Sequence, residues 1–221
     1  MSDLVHFRVE EPPDQDRNRW TALLRPILVV PHLLLVGGPF VGVGAGVYRA
    51  GALGLLATTC AVIDWFAILF TGHPVAGLQP FKRLYLGWRA RVLAYGCFLR
   101  DEYPPFGDGA YPATLDLPDE PAQRELWPVA LRVFLLVPHL IVMFALMIAA
   151  AFVWLTSWLW VVVAGRLAAP LWRFNRDVMG YALRVEAYAL LIHDRFPSFD
   201  VFAAARSAVA AWRPRPWARR A

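Results

Sequence analysis

The chain has 221 residues, 58% of them hydrophobic and 18% charged, with a formal net charge of +5. Soluble domains of this size carry about a quarter charged residues, so the composition excludes an ordinary water-soluble globule and points to a membrane protein. Two cysteines, Cys60 in an apolar run and Cys97 in an amphipathic stretch, are too few and too dispersed for a disulfide framework or a thiolate metal site.

Residues 1–19 are polar, acidic and proline-bearing, without the charged-then-apolar layout of a secretory signal. Apolar runs follow at 20–48, 50–72 and 128–165. Each is long enough for a bilayer crossing, which takes about 20 residues. The first two predict a transmembrane hairpin, with spans near 23–42 and 52–71 and a short turn around Tyr48-Arg49-Ala50-Gly51. Within this region Gly38, Gly42 and Gly46 are spaced four apart, which on a helix makes a smooth face for close helix packing. A flexible turn suits the same stretch, which also holds Pro39 and Arg49.

Next, Phe81, Leu84, Tyr85, Trp88, Val92, Tyr95 and Leu99 recur at helical spacing, with Lys82, Arg83 and Arg89 on other faces. The pattern predicts an amphipathic helix in the membrane interface, with Trp88 and the basic side chains at the headgroups of anionic lipids or against a partner. A polar linker occupies 107–126. Residues 130–164 allow two readings. One is a second hairpin of two spans of about 16 or 17 residues, at the bottom of the usual range. The other is a single tilted helix kinked near Pro138. A second amphipathic stretch carries Phe174, Val178, Tyr181, Val185, Tyr188 and Ile192, beside Arg173, Arg176 and Arg184. The tail, 200–221, closes with Trp212, Arg213, Arg215 and Trp217, which suit acidic headgroups or an acidic partner subunit rather than nucleic acid.

The chain repeats itself. RPILVVPHLLLV (25–36) aligns on RVFLLVPHLIVM (132–143) at an offset of 107, and RVLAYGCFLRDEYPPF (91–106) on RVEAYALLIHDRFPSF (184–199) at an offset of 93. Trp65, Gly72 and Phe81 fall on Trp158, Gly165 and Phe174 at the second offset. The first copy therefore holds a fourteen-residue insertion somewhere within 37–57. The repeats extend over 20–106 and 127–199. With their Val-Pro-His-Leu, the Trp-Phe-Ala-Ile-Leu-Phe-Thr-Gly at 65–72 and the Asp-x-aromatic-Pro-x-Phe endings, they resemble the bacterial membrane family called domain of unknown function 4389. The resemblance implies an architecture and a bacterial origin and names no activity. The second copy departs from the pattern at Val163-Ala164-Gly165, where the threonine is lost.

Of the 22 basic residues, four lie within 1–25, six within 72–131 and ten from Arg166 onward. The positive-inside rule places all three segments in the cytoplasm, which requires an even number of crossings between each pair. The expected fold is therefore an all-α integral membrane protein of two tandem repeats, each a transmembrane hairpin followed by an interfacial helix. That gives four spans in a bacterial inner membrane, with both termini cytoplasmic.

Ionisable groups within membrane segments are functional candidates, and here they are Asp64, His32 and His139. In an antiparallel hairpin Asp64 and His32 lie at similar depth and can pair as a proton relay, although the second copy has Ser157 where the first has Asp64. Alternatively each histidine satisfies a backbone group freed by the neighbouring proline. A haem held by His32 and His139 is a further reading, but the repeat by itself accounts for both Pro-His pairs. Asp101 is expected to pair with Arg91, and Asp194 with Arg184. No phosphate loop, serine elbow, zinc helix or cysteine cluster occurs in the sequence. The leading expectation is a non-catalytic accessory subunit, without cofactor, that packs against a larger membrane complex and anionic lipid. The alternative is a small transporter or proton-conducting protein that uses Asp64 and His32.

Overall fold

The structure, a computed structural model, describes residues 5–10, 16–38, 47–119 and 124–202. In chain order these form β1 (His6–Val9), α1 (Arg19–Leu28), α2 (Val30–Val36), α3 (Val47–Thr71), α4 (Leu78–Gly96), β2 (Ala113–Asp116), α5 (Leu126–Ala130), α6 (Arg132–Ala164) and α7 (Ala169–Ala189). Gly42, Gly46 and the tail residues Trp212, Arg213, Arg215 and Trp217 lie outside the described residues.

α6 carries no charged residue after Arg132 and stops at Gly165, whose φ of 71° ends the hydrogen-bonded turns. Gly72 ends α3 in the same way, at φ 77°. The hairpin expected of the second unit is replaced by this one helix, since no turn residue interrupts 132–164 and Pro138 is accommodated inside it. Two helices, Gly51–Thr71 and Arg132–Ala164, are long and apolar enough to cross a membrane. The α1–α2 pair, bent by 41°, adds a third if it counts as one span. Pro31 supplies the bend, because it has no N–H to give the Ile27 carbonyl.

The first unit is not a hairpin either. Val36 aligns with Met143 at the first offset and Gly51 with Phe144 at the second, so residues 37–50 are the whole insertion. α4 meets α2 where Trp88 bonds His32, and meets α3 where Lys82 bonds Asp64. α7 meets the single helix α6 at the equivalent pairs, Tyr181 with His139 and Asn175 with Ser157. Along α4, then, α2 and α3 hold the places that two stretches of α6 hold along α7. Gly51 sits at the junction with φ 69°, and a Cβ there would overlap the Leu35 carbonyl and the Gly37 nitrogen. The first unit is one helix line interrupted by an insertion.

The two lines, α1–α3 and α5–α6, form an outer layer and run antiparallel. The Arg17 N–H donates to the Gly165 carbonyl at one end, and Trp65 Nε1 donates to the Val129 carbonyl at the other. Beneath them α4 and α7 are also antiparallel, joined where Gln79 reaches the Leu191 carbonyl and Asn175 the Cys97 carbonyl. Tyr85, Leu86, Val92, Tyr95, Val178, Leu183 and Tyr188 are buried in this inner layer.

A two-stranded antiparallel sheet, which the sequence reading did not foresee, covers the far side of the inner layer, with His6 opposite Asp116 and Val9 opposite Ala113. Phe7 packs on Gly180, and Arg83 donates to the Pro118 carbonyl just beyond β2. The amphipathic helices are thus the interior of the molecule and not its membrane-facing edge. Their apolar stripes face the long helices, and the sheet covers the side expected to meet headgroups.

Excising 37–50, so that Val36 runs into Gly51, should close the first helix line and leave a folded protein. Circular dichroism of the detergent-solubilised deletion variant should show the helical signal and a cooperative melt retained. An aggregated or non-cooperative product would disprove the collinear arrangement.

Candidate functional site

Each unit ties its outer helix to its inner one through an aspartate held by two arginines. Asp101 Oδ1 accepts from Arg25 Nη2 at 2.5 Å and from Arg17 Nη1 at 3.1 Å. Asp194 Oδ1 accepts from Arg132 Nη2 and from Arg124 Nη1, both at 2.7 Å. Arg25 also donates to the Tyr95 and Arg100 carbonyls, and Arg132 to the Tyr188 carbonyl. Each guanidinium lies over a tyrosine, Arg25 4.5 Å from the Tyr95 ring and Arg132 4.3 Å from the Tyr188 ring. Arg17 and Arg124 share the offset of 107 and lie just ahead of the repeat boundaries read from sequence. That shared offset was the available signal for them.

The expected pairs Asp101–Arg91 and Asp194–Arg184 do not form. Each arginine instead holds the loop after its own helix, Arg91 at the Gly107 and Gly109 carbonyls and Arg184 at the Asp200 carbonyl. The aspartates begin the loops after α4 and α7 and reach the starts of the outer helices.

The histidines occupy equivalent aromatic clusters, one per unit. His32 stacks on Phe106 at 4.2 Å with Tyr103 alongside, and His139 stacks on Phe199 at 4.2 Å with Phe196 alongside. Trp88 Nε1 donates to His32 Nδ1 at 3.1 Å, so the neutral ring carries its proton on Nε2, with the Pro104 backbone as its neighbouring acceptor. His139 Nδ1 is 2.8 Å from the Tyr181 hydroxyl. The rings are held in separate clusters, each closed by its own phenylalanine, and do not face one another across a shared site as the haem reading requires.

Asp64 and His32 are not brought together. Both side chains of the Asp64–Lys82 pair are fully buried, with Lys82 Nζ 2.5 Å from Asp64 Oδ2, and Asp64 Oδ1 accepts from the Val75 N–H. Lys82 also donates to the Leu190 carbonyl of the other unit. Asn175 stands in the equivalent place, bonding Ser157 Oγ at 3.2 Å and the Cys97 carbonyl at 3.1 Å. Two pseudo-symmetric bridges therefore join the units, one ionic and one neutral. The proton-relay reading loses its couple, because the acid is neutralised by a lysine and the imidazole is held by tryptophan.

The basic residues expected at headgroups mostly point inward. Lys82, Trp88 and Arg89 are buried. Arg89 donates to Glu186 and to the Val36 and Gly38 carbonyls, which gives Gly38 an acceptor role at the start of the insertion. Arg83 and Arg176 are half-buried, Arg176 against Asp177, and only Arg173 of this group is exposed. The correction has one cause: α4 and α7 are covered on three sides, so a cation on them finds internal oxygens before it finds solvent.

The outer layer is the exposed apolar surface. Trp20, Ile27, Leu34, Phe66 and Phe70 project from the first line, and Trp127, Phe134, Ile141, Phe152 and Val163 from the second. Between α3 and α6 this surface opens into a groove of about 500 Å³ lined by Thr58, Ala61, Trp65, Leu136, Leu140 and Val185 among others.

A duplicated, mostly helical, membrane-associated protein is the class this fold defines. Residues 46–107 and 127–200 match the family described as domain of unknown function (DUF4389), and the chain belongs to it as a tandem duplication. No curated protein and no solved structure matches the chain.

Removing one member of the buried ion pair should expose the worth of the bridge. Asp64→Ser alone strands Lys82 and should destabilise the protein by about 3–5 kcal/mol, read by chemical unfolding in detergent. Asp64→Ser with Lys82→Asn recreates the neutral bridge of the second unit and should recover most of that loss; a double variant no better than the single would refute the equivalence.

His193 gives a pH test. Burial, with the Arg132 guanidinium next in weight, pushes its pKa down to about 4. The folded ring stays neutral while the unfolded one takes up a proton near pH 6.5. Stability should therefore fall as pH drops from about 6.5 to about 4, with no further contribution from this group below that. His193→Gln should flatten the slope over this window.

Proposed function

We propose that this chain is a non-catalytic membrane subunit that packs against a larger membrane protein complex and the anionic lipid around it. The observation that carries the reading is the exposed apolar surface of the two long helix lines, larger than a water-soluble monomer presents. The polar chemistry beneath it supports the same reading, since the buried ion pairs and hydrogen bonds run between layers and between units. Groups bonded in this way hold a scaffold together.

The three basic segments belong on the cytoplasmic face of a bacterial plasma membrane, together with both termini. An even number of crossings satisfies that placement, and zero is even. The arginine-rich tail reaches acidic headgroups or an acidic neighbouring subunit from that face.

Native membranes solubilised in mild detergent provide the test. The chain should resist alkaline carbonate extraction and migrate on a native gel within a larger assembly, at fixed stoichiometry to a partner. Migration at the mass of one chain with its detergent, in every mild detergent tried, would rule out the subunit reading.

A further inference from the structure

We propose that the two outer helix lines, α1–α3 and α5–α6, lie in the plane of one membrane leaflet, their exposed face among its acyl chains, and that no helix crosses the bilayer. This rests on the membrane-subunit reading and adds how the chain sits.

The first argument is that the layers cannot be separated. α7 runs beside α6 from Arg132, which bonds the Tyr188 carbonyl, to Ser157, which bonds Asn175. α4 is joined to the first line in the same way, from Asp64 to Arg25. If α6 crossed the bilayer, α7 would cross beside it. The sheet lies over the middle of α7, with Phe7 on Gly180, and would be carried to mid-bilayer depth. Its outer side is polar: the Arg8–Asp116 pair is 70% and 45% exposed, and Thr114, directly opposite Arg8, is exposed too. Among the described residues the two strands also leave open edges, and open sheet edges facing lipid do not occur in the hydrocarbon region. The sheet therefore belongs in water, and the apolar layer lies parallel to it on the other side.

The second argument is length. At 33 residues α6 is about 50 Å long against a hydrocarbon core of about 30 Å. Its exposed apolar side chains continue from Val133 through Ile141, Ile148 and Phe152 to Val163, without a charge among them. A helix crossing at the usual tilt of about 20° would leave both ends of that stripe in headgroups or water. A helix lying flat keeps the whole stripe in the acyl boundary.

The seam between the layers marks the interface level. Tyr103 and Phe106 are exposed beside His32, where α2 meets α4, and Phe196 and Phe199 are exposed beside His139, where α6 meets α7. Rings along both edges suit the headgroup boundary, where the Tyr103 hydroxyl donates to the Leu28 carbonyl. The groove between α3 and α6 opens on the embedded face, so an acyl chain of the same leaflet fills it.

Depth measurement by nitroxide labels decides the matter. Val133→Cys, Ile148→Cys and Val163→Cys sample the two ends and the middle of α6 at exposed positions. Cys60→Ala serves as the background, and Cys97 can stay, since burial pushes its thiol up to about 12 and leaves it unreactive. The labelled protein is reconstituted in vesicles of phosphatidylethanolamine and phosphatidylglycerol. Relative accessibility to oxygen and to a nickel chelate should place all three labels at one shallow depth, within about 5 Å of each other. Ile148 lying deeper than both ends by about 15 Å would mean a crossing and overturn the proposal. Dipolar broadening between labels with loss of oxygen access would also overturn it, because a second copy would then cover the face. Loss of the whole chain to the carbonate wash would instead sink the membrane reading itself.

Discussion

An arginine that leaves water must find acceptors for its donors, and in this protein that requirement fixes where each outer helix begins relative to the end of its inner helix. Arg25 and Arg132 are almost wholly buried, and each spans from an outer helix to the carbonyls and aspartate that follow an inner one. The acceptors lie where α4 and α7 end: the Tyr95 and Tyr188 carbonyls each take one N–H of the closing turn, from Phe98 and Leu191, and the guanidinium besides. With Arg17 and Arg124 on the same aspartates, a helix start, a helix end and the loop beyond it become one joint. The layered arrangement follows, because each inner helix is anchored beneath its outer partner and the two units then dock through Lys82 and Asn175.

Much of this was legible in the sequence, and what was not has physical reasons. Duplication, helical content, the amphipathic periodicity of α4 and α7 and the family were all readable, because they depend on identity and spacing along the chain. The burial of the basic residues on α4 was not, because amphipathicity gives the direction of an apolar stripe and says nothing of what covers the polar one. Lys82 and Arg89 look the same in sequence whether they meet a headgroup or a buried carbonyl. The hairpin expectation erred for a related reason. Two apolar runs separated by glycines read as two spans and a turn, yet the comparison of Val36–Gly51 with Met143–Phe144 shows a single helix line with chain inserted into it.

The differences between the units matter as much as their likeness. The aspartate–arginine joints and the stacked histidine–phenylalanine pairs recur in both units, which marks them as scaffold. The insertion and the ion pair are not duplicated, and both belong to the first unit, with Asp64 13 residues beyond Gly51 on the first line and Lys82 on α4. At the start of the insertion, Arg89 ties the Val36 and Gly38 carbonyls to Glu186 of the second unit. The extra charge of the first unit thus anchors the segment flanking its extra chain, at a point where an uninterrupted helix would need no anchor.

Charge distribution and geometry bear on topology from independent directions. The positive-inside rule counts cations in loops and asks only that the basic segments share a side. The layer geometry concerns where water must reach, and it puts the sheet and the inner helices on one side of the apolar surface. Four crossings would satisfy the first condition and violate the second, because the inner helices would take a polar sheet into hydrocarbon. An embedded layer with no crossings satisfies both. The arginines of α4 and α7 are met within the protein by carboxylates and carbonyls of neighbouring elements.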